Sequence, residues 1–140
     1  MSRIVSHVDT GSESFKRNHA ETTRRVQALR ELTHKVRHER PARDIERLQR
    51  QKKLTVRERL DLLLDPGTPF LELSTLAANR AYGGEVHGAG CVSGIGIVQG
   101  REVIIHADDP SIKGGAWYPL TIKKIVRTLD IAIENRLPVI

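Results

Sequence analysis

The residues best suited to do chemistry lie between Ile104 and Pro119. There the chain reads Ile104-Ile105-His106-Ala107-Asp108-Asp109-Pro110-Ser111-Ile112-Lys113-Gly114-Gly115-Ala116-Trp117-Tyr118-Pro119. An apolar run gives way to a Gly-Gly loop and then opens a helical stretch. Strand, glycine loop and helix N-terminus in that order gather backbone N–H groups and the positive end of a helix dipole around an anion or oxyanion. Two adjacent glycines let backbone approach a ligand more closely than any side chain permits. Many such turns carry Gly-Gly and bind nothing, so the pattern alone leaves a ligand cradle and a plain turn about equally open.

Other chemistry-bearing residues each have a plain reading. His106, at a strand end, is a candidate general base, but a satisfied structural histidine is favoured. Asp108-Asp109 has the look of a paired carboxylate or metal site; adjacent residues in a turn diverge, so Asp109 is read as turn-forming. Lys123 and Lys124 fall one turn into the helix, where a cation opposes the dipole. A phosphate contact is open to them, and a solvated face is favoured. Cys91 reads as a small core residue. His34 and His38 form an i,i+4 pair on a basic helix without an acidic third ligand, so no zinc site, and no metal elsewhere, is expected.

The elements that must position the loop follow from periodicity and capping. Residues 1–19 are expected to be a polar, disordered tail, and residues 20–66 a basic helical arm. Val26, Leu29, Leu32 and Val36 recur at near-helical spacing from about Ala20, until Pro41 ends or kinks the helix. Ile45 and Leu48 continue a short basic helix through Gln51. Thr55-Val56-Arg57-Glu58 is a capping box, Val56, Leu60, Leu63 and Leu64 form the apolar face behind it, and Asp65-Pro66-Gly67 stops that helix. Residues 67–140 then switch texture. Phe70 to Leu76 reads as a strand and Asn79 to Gly90 as a glycine-containing loop. Cys91 to Val98 and Glu102 to Ala107 read as a hairpin turned at Gln99-Gly100. After the Gly-Gly loop, Ile122, Ile125, Val126, Leu129 and Ile133 make one face of a helix running to about Arg136, with Pro119 in its first turn and Asn135 as its cap. Leu137 to Ile140 starts another strand, expected to pair parallel to the earlier one.

Composition bounds the function. The 140 residues carry a formal net charge of +6 and one cysteine, which excludes an intrachain disulfide and fits a reducing compartment. Residues 1–60 hold sixteen Lys and Arg against eight Asp and Glu, and residues 61–140 hold seven against nine. Such asymmetry can serve nucleic acid. The basic half has only Phe15 to stack on a base and no reader motif, so a solvated, salt-bridged docking face is favoured and no nucleic-acid partner is expected. No apolar run reaches the ~20 residues of a membrane span, and no signal peptide is recognisable. A cytoplasmic setting is expected, or the mitochondrial matrix in a eukaryote.

The residues 107–124, Ala107-Asp108-Asp109-Pro110-Ser111-Ile112-Lys113-Gly114-Gly115-Ala116-Trp117-Tyr118-Pro119-Leu120-Thr121-Ile122-Lys123-Lys124, resemble the N-terminal half of biotin-dependent acyl-CoA carboxyltransferase β subunits. Within them the likeness is greatest to the methylcrotonoyl-CoA carboxylase branch, whose loop reads Lys-Gly-Gly-Ala, aromatic, Tyr, Pro. Arg57 to Leu73 and Glu134 to Ile140 agree in type and order, so the resemblance covers about residue 20 to the last. Asp108, where the family commonly has Asn, and Pro110 depart from its pattern.

The resemblance implies an α/β fold of the crotonase-like (ClpP/crotonase) class, with residues 67–140 the truncated start of a carboxyltransferase N-domain behind the helical arm. It implies transfer of CO2 from carboxybiotin to an acyl-CoA such as 3-methylcrotonoyl-CoA. Removing a proton there builds negative charge on the thioester oxygen, which calls for preorganised N–H donors rather than a catalytic side chain. No catalytic residue is assigned within the chain. Lys113, Gly114, Gly115, Ala116, Trp117 and Tyr118 are the candidate acyl-CoA-binding residues, and solvent contact for Lys113 and helix packing for Trp117 and Tyr118 are their plain alternatives. The implied partners are acyl-CoA, a biotin-carrying α subunit and further β subunits in a homo-oligomer. The expectation is an N-terminal portion without turnover of its own. A non-catalytic crotonase-like fragment or oligomerisation module is the alternative.

Overall fold

A serine ahead of a helix-forming run starts the first element: the Phe15 N–H donates to Ser12 Oγ at 3.2 Å, and α1 spans Glu13–His38. Residues 13–19, expected in the tail, are therefore helical. The structure, a computed structural model, describes residues 5–140; residues 1–4 of the expected tail lie outside the described residues. The chain divides into one unit ending at Lys35 and a second, Val36–Ile140. In the first unit, α1 carries its own surface pairs, Glu21 with Arg24 and Arg25 and Glu13 with Lys16. Such exposed i,i+3 and i,i+4 pairs add little stability each. Val26 and Leu29 are exposed along it.

In the second unit, Pro41 stands at the N-cap of α2 (Ala42–Arg50), which buries Leu48. The Thr55 capping box opens α3 (Val56–Leu63): Glu58 N–H donates to Thr55 Oγ1 at 3.3 Å and Thr55 N–H to Glu58 Oε2 at 2.7 Å. Asp65 then ends the helical stretch and builds the next turn, since its carboxylate accepts the N–H groups of Gln99 and Gly100 at 2.8 and 2.7 Å. That turn joins β2 (Cys91–Val98) to β3 (Arg101–Asp108), antiparallel with Cys91 opposite Asp108 and Ser93 opposite His106. Alternation puts Val92, Val103 and Ile105 on one face of the sheet, where they form a core with Val56 and Leu60 of α3. Burying each such side chain stabilises the fold by about 1.5–3 kcal/mol.

Gly94 and Gly96 leave room on that face for Phe70 and Leu64; a Cβ at Gly94 would lie 2.7 Å from the Leu71 carbonyl oxygen. Gly94 pairs with Glu72 of β1 (Leu71–Leu73), a strand shorter than the expected Phe70–Leu76 because Ser74 turns at φ 51°. The sheet order is β1-β2-β3, and residues 138–140 extend it beside β3. His106 N–H donates to Ile140 O and Ile140 N–H to Ile104 O, both at 2.9 Å, in the parallel sense expected of a βα crossover.

The helix after the loop, α4 (Pro119–Asn135), has the expected bounds but the opposite facing. It packs on β2 and β3 through Thr121, Lys124, Thr128 and Ala132, all buried, while Ile122, Val126, Leu129 and Ile133 are exposed. The favoured solvated reading of Lys124 is thus corrected: its ammonium is buried and satisfied by two carbonyls. Asn135 does not cap the helix either; Arg136 takes the left-handed turn at φ 54°, and Asn135 Nδ2 donates back to Ile131 O.

Glu72 is held by two arginines, Arg57 Nη1 at 2.8 Å and Arg37 Nε at 3.0 Å, with its side chain 4% exposed. Burial pushes its carboxyl up, but the Arg57 hydrogen bonds and the charges of Arg57, Arg37 and Lys124 outweigh it and hold the group below its ordinary 4.5. The unfolded chain then takes up this proton first as pH falls, so the stabilisation is complete above 4.5 and is lost toward the lowered value. Glu72→Gln is expected to melt below the wild type at pH 7, with the gap narrowing at pH 3; an unchanged gap contradicts that account.

Candidate functional site

The loop between β3 and α4 is set by the two aspartates at the strand end, which diverge. Asp109 is buried, and its Oδ1 accepts the Ser111 N–H at 2.9 Å and the Ser111 hydroxyl, the local geometry of a turn-former. Its Oδ2 accepts Arg40 Nη2 at 2.9 Å, and Arg40 also reaches Ser111 Oγ and the Val36 carbonyl. A distant arginine, 10% exposed, therefore fixes where the loop begins. Asp108 points elsewhere: its Oδ1 accepts the Trp117 indole N–H at 3.0 Å, and Arg59 donates to its carbonyl.

The Gly-Gly turn itself is left-handed. Lys113, Gly114 and Gly115 have φ of 47°, 71° and 85°, and only glycine takes the last two without strain. The turn uses part of its own donor set. Gly115 N–H donates to Ile112 O at 2.8 Å and Ala116 N–H to Lys113 O at 3.3 Å. At the helix start, Tyr118 N–H donates to Thr121 Oγ1 at 3.0 Å and Leu120 N–H to the Tyr82 hydroxyl at 3.1 Å. The converging donors that the pattern suggests are in these four cases already paired. The loop leaves backbone exposed at Gly114 and Ala116, with aromatic walls beside it.

Those walls are Trp117, 59% exposed, and Tyr118, whose ring lies 4.7 Å from that of Tyr82. Tyr82 comes from the loop before β2 and was not singled out by the sequence; only the pairing with Leu120 and Tyr118 gives it a place. Lys113 is ion-paired to Glu85. Ala116 and Gly114 are exposed and Gly115 half-buried. The six candidate residues thus lie together on one loop, with Lys113, Gly114, Ala116 and Trp117 exposed and Gly115 and Tyr118 half-buried.

Behind the loop, Lys124 Nζ donates to the carbonyls of Gly88 at 2.9 Å and Cys91 at 2.8 Å, and Thr121 Oγ1 donates to that of Ala89 at 2.7 Å. These bonds tie the first turns of α4 to the left-handed stretch Gly88-Ala89-Gly90 that precedes β2. Burial pushes the Lys124 ammonium below its usual range and the Cys91 thiol above its own. Cys91 is buried, as its reading as a core residue expects. His106 Nδ1 lies 3.0 Å from Ser93 Oγ, and its Nε2 is 3.4 Å from Asp108 Oδ1 without a hydrogen bond. Ser93 is fully buried, so this group serves the sheet rather than presenting a nucleophile.

Residues 48–140 match the carboxyl transferase domain family. The chain is 46% identical over 138 residues to the probable mitochondrial methylcrotonoyl-CoA carboxylase beta chain of Drosophila melanogaster, covering 98% of this chain and 24% of that one. It is 54% identical over 88 residues to the biotin-dependent 3-methylcrotonyl-coenzyme A carboxylase beta1 subunit of Mycobacterium tuberculosis, 63% of this chain and 17% of the relative. Among solved structures, the beta subunit of P. aeruginosa geranyl-CoA carboxylase superposes with a TM-score of 0.84 at 40% identity, covering 97% of this chain and 26% of that one. The chain spans about a quarter or less of the length of these relatives.

Proposed function

The chain belongs to the carboxyl transferase domain family, with its crotonase-like α/β fold, and on that premise we propose that it is the N-terminal portion of an acyl-CoA carboxylase carboxyltransferase subunit. The acyl-CoA site runs along Lys113, Gly114, Gly115, Ala116, Trp117 and Tyr118, and the acyl group is 3-methylcrotonoyl or a similar α,β-unsaturated thioester. The observation that carries this reading is the outward-facing left-handed Gly-Gly turn between β3 and α4, flanked by an exposed tryptophan. Bare backbone at Gly114 and Gly115 lets a thioester arm lie against the loop, and Trp117 and Tyr118 keep water from one side of it. Gly115 and Ala116 N–H groups are engaged within the turn, so these residues shape the wall, and the donors for the enolate oxygen come from elsewhere in the whole subunit.

Biotin, carried on a partner subunit, supplies the carboxyl group in this reading. Among the described residues, the buried side-chain nitrogens without a hydrogen bond belong to Arg37, Arg57 and His106, which already face Glu72 or Asp108. Engaged in this way, they do not fit a ureido ring. The biotin-carrying α subunit and further β subunits are the proposed partners. The exposed apolar stripe of α4, Ile122, Val126, Leu129 and Ile133, supports burial against additional protein. Among the described residues no helix is long and apolar enough to cross a membrane. The proposed setting is the cytoplasm, or the mitochondrial matrix in a eukaryote.

Amide hydrogen exchange of the chain with and without 3-methylcrotonoyl-CoA tests the assignment. Slowed exchange concentrated at residues 113–118 is the expected result. Protection confined to other segments contradicts it.

A further inference from the structure

The Trp117 indole forms one end of a polar chain that the acyl-CoA reading leaves unused. Its N–H donates to Asp108 Oδ1 at 3.0 Å. His106 Nε2 faces that same oxygen from the sheet side at 3.4 Å, and His106 Nδ1 lies 3.0 Å from Ser93 Oγ. The chain therefore runs from a fully buried serine to a tryptophan that is 59% exposed. Nε2 is buried without a hydrogen bond of its own. A bare nitrogen there would set its lone pair against a carboxylate, so Nε2 carries the ring proton and Nδ1 accepts the Ser93 hydroxyl.

Asp108 is held through both its backbone and its side chain. Arg59 of α3 donates to its carbonyl, and the β2–β3 ladder sets it opposite Cys91. The His106 N–H attracts the carboxylate toward the strand, which favours the rotamer that keeps Oδ1 in reach of the indole. An ionised acceptor makes a stronger hydrogen bond than a neutral one, and Asp108 stands where the resembling family commonly has Asn. Trp117 sits on a turn whose neighbours Gly114 and Ala116 are exposed as well, so the bond at the indole nitrogen decides which way the ring faces. Resting on the acyl-CoA reading above, we propose that Asp108, oriented by His106, is the positioning residue that fixes the Trp117 ring as the apolar wall for the acyl group. A ring fixed before the ligand arrives spares the cost of ordering it on binding, and that gain falls on the acyl group rather than on CoA.

Trp117 is the only tryptophan in the sequence, so the fluorescence anisotropy decay of the full chain reports the freedom of this ring directly. Asp108→Ala is expected to speed that decay and to raise the Kd for 3-methylcrotonoyl-CoA about three- to tenfold, with the Kd for free CoA unchanged. Asp108→Asn keeps an oxygen acceptor and is expected to restore most of both. Trp117→Phe keeps an aromatic ring without the N–H. It is expected to weaken the thioester to a similar degree, and Asp108→Ala added to it to change nothing further. An unaltered decay in Asp108→Ala, or a freed ring with unaltered thioester affinity, overturns the positioning role and leaves the acyl-CoA reading standing. Equal weakening of thioester and free CoA does the same, since a general disturbance of the loop acts on both. If Asp108→Ala does not fold, wild-type thioester affinity in Trp117→Phe overturns the role. A folded wild type that binds no thioester overturns the acyl-CoA reading itself, and the role with it.

Discussion

Gly114→Val/Gly115→Val is expected to abolish measurable binding of 3-methylcrotonoyl-CoA while the chain remains folded. Both positions have φ in the left-handed region, 71° and 85°. A β-branched residue there costs about 1–2 kcal/mol each in backbone strain, so the turn remodels rather than accept the wild-type path. No atom lies within 4 Å of a Cβ at Gly114, and at Gly115 the nearest is Pro110 Cα at 3.8 Å, so the substitution changes the loop without breaking the core. Remodelling displaces the exposed backbone and adds two branched side chains where the thioester is proposed to lie. Circular dichroism with a thermal melt separates this from unfolding. Wild-type affinity in a folded double variant would mean that the thioester binds elsewhere.

Lys124→Met is expected to be the most destabilising single change near the loop. Its ammonium is 5% exposed and donates to the carbonyls of Gly88 and Cys91. Methionine fills similar volume but leaves two buried carbonyls without these donors and removes a positive charge that faces Glu72. Hydrogen bonds to charged groups contribute about 1.5–3 kcal/mol each, so a loss of roughly 3 kcal/mol is expected, lowering the melting temperature by about 10 °C. The pH dependence adds a second signature. Burial lowers the lysine's pKa from 10.5, so between the lowered value and 10.5 the unfolded chain holds a proton that the folded chain has released, and wild-type stability from this group rises with pH. The wild-type advantage over Lys124→Met should widen from neutral pH toward 10; an advantage that shrinks in that range contradicts the burial argument.

Local chemistry was legible in the sequence, and long-range chemistry was not. The Thr55-Glu58 capping box, the Gln99-Gly100 hairpin and the start of α4 at Pro119 depend on residues within a few positions of one another, and each stands where its signature places it. Lys124 could not be read because its partners lie more than thirty residues upstream, on carbonyls exposed by three successive left-handed residues. The same applies to Arg40, whose role depends on Asp109 across a separation of 69 residues. On α4 the apolar spacing found the stripe but not its direction. The buried face is instead Thr121, Lys124, Thr128 and Ala132, because the hydroxyls and the ammonium meet carbonyls on or beside the sheet or, for Thr128, the helix's own Lys124 carbonyl. The Gly-Gly loop was visible from its residues, whereas the internal pairing of its Gly115 and Ala116 N–H groups needed the fold. That pairing takes both N–H groups out of the donors the loop could turn toward a ligand.

Calorimetric titration of the folded chain with 3-methylcrotonoyl-CoA tests the central assignment most directly. Saturable binding near one thioester per chain, tighter than that of free CoA, is the predicted result. A folded chain that gives no binding heat with the thioester at several temperatures would contradict the acyl-CoA site along Lys113 to Tyr118.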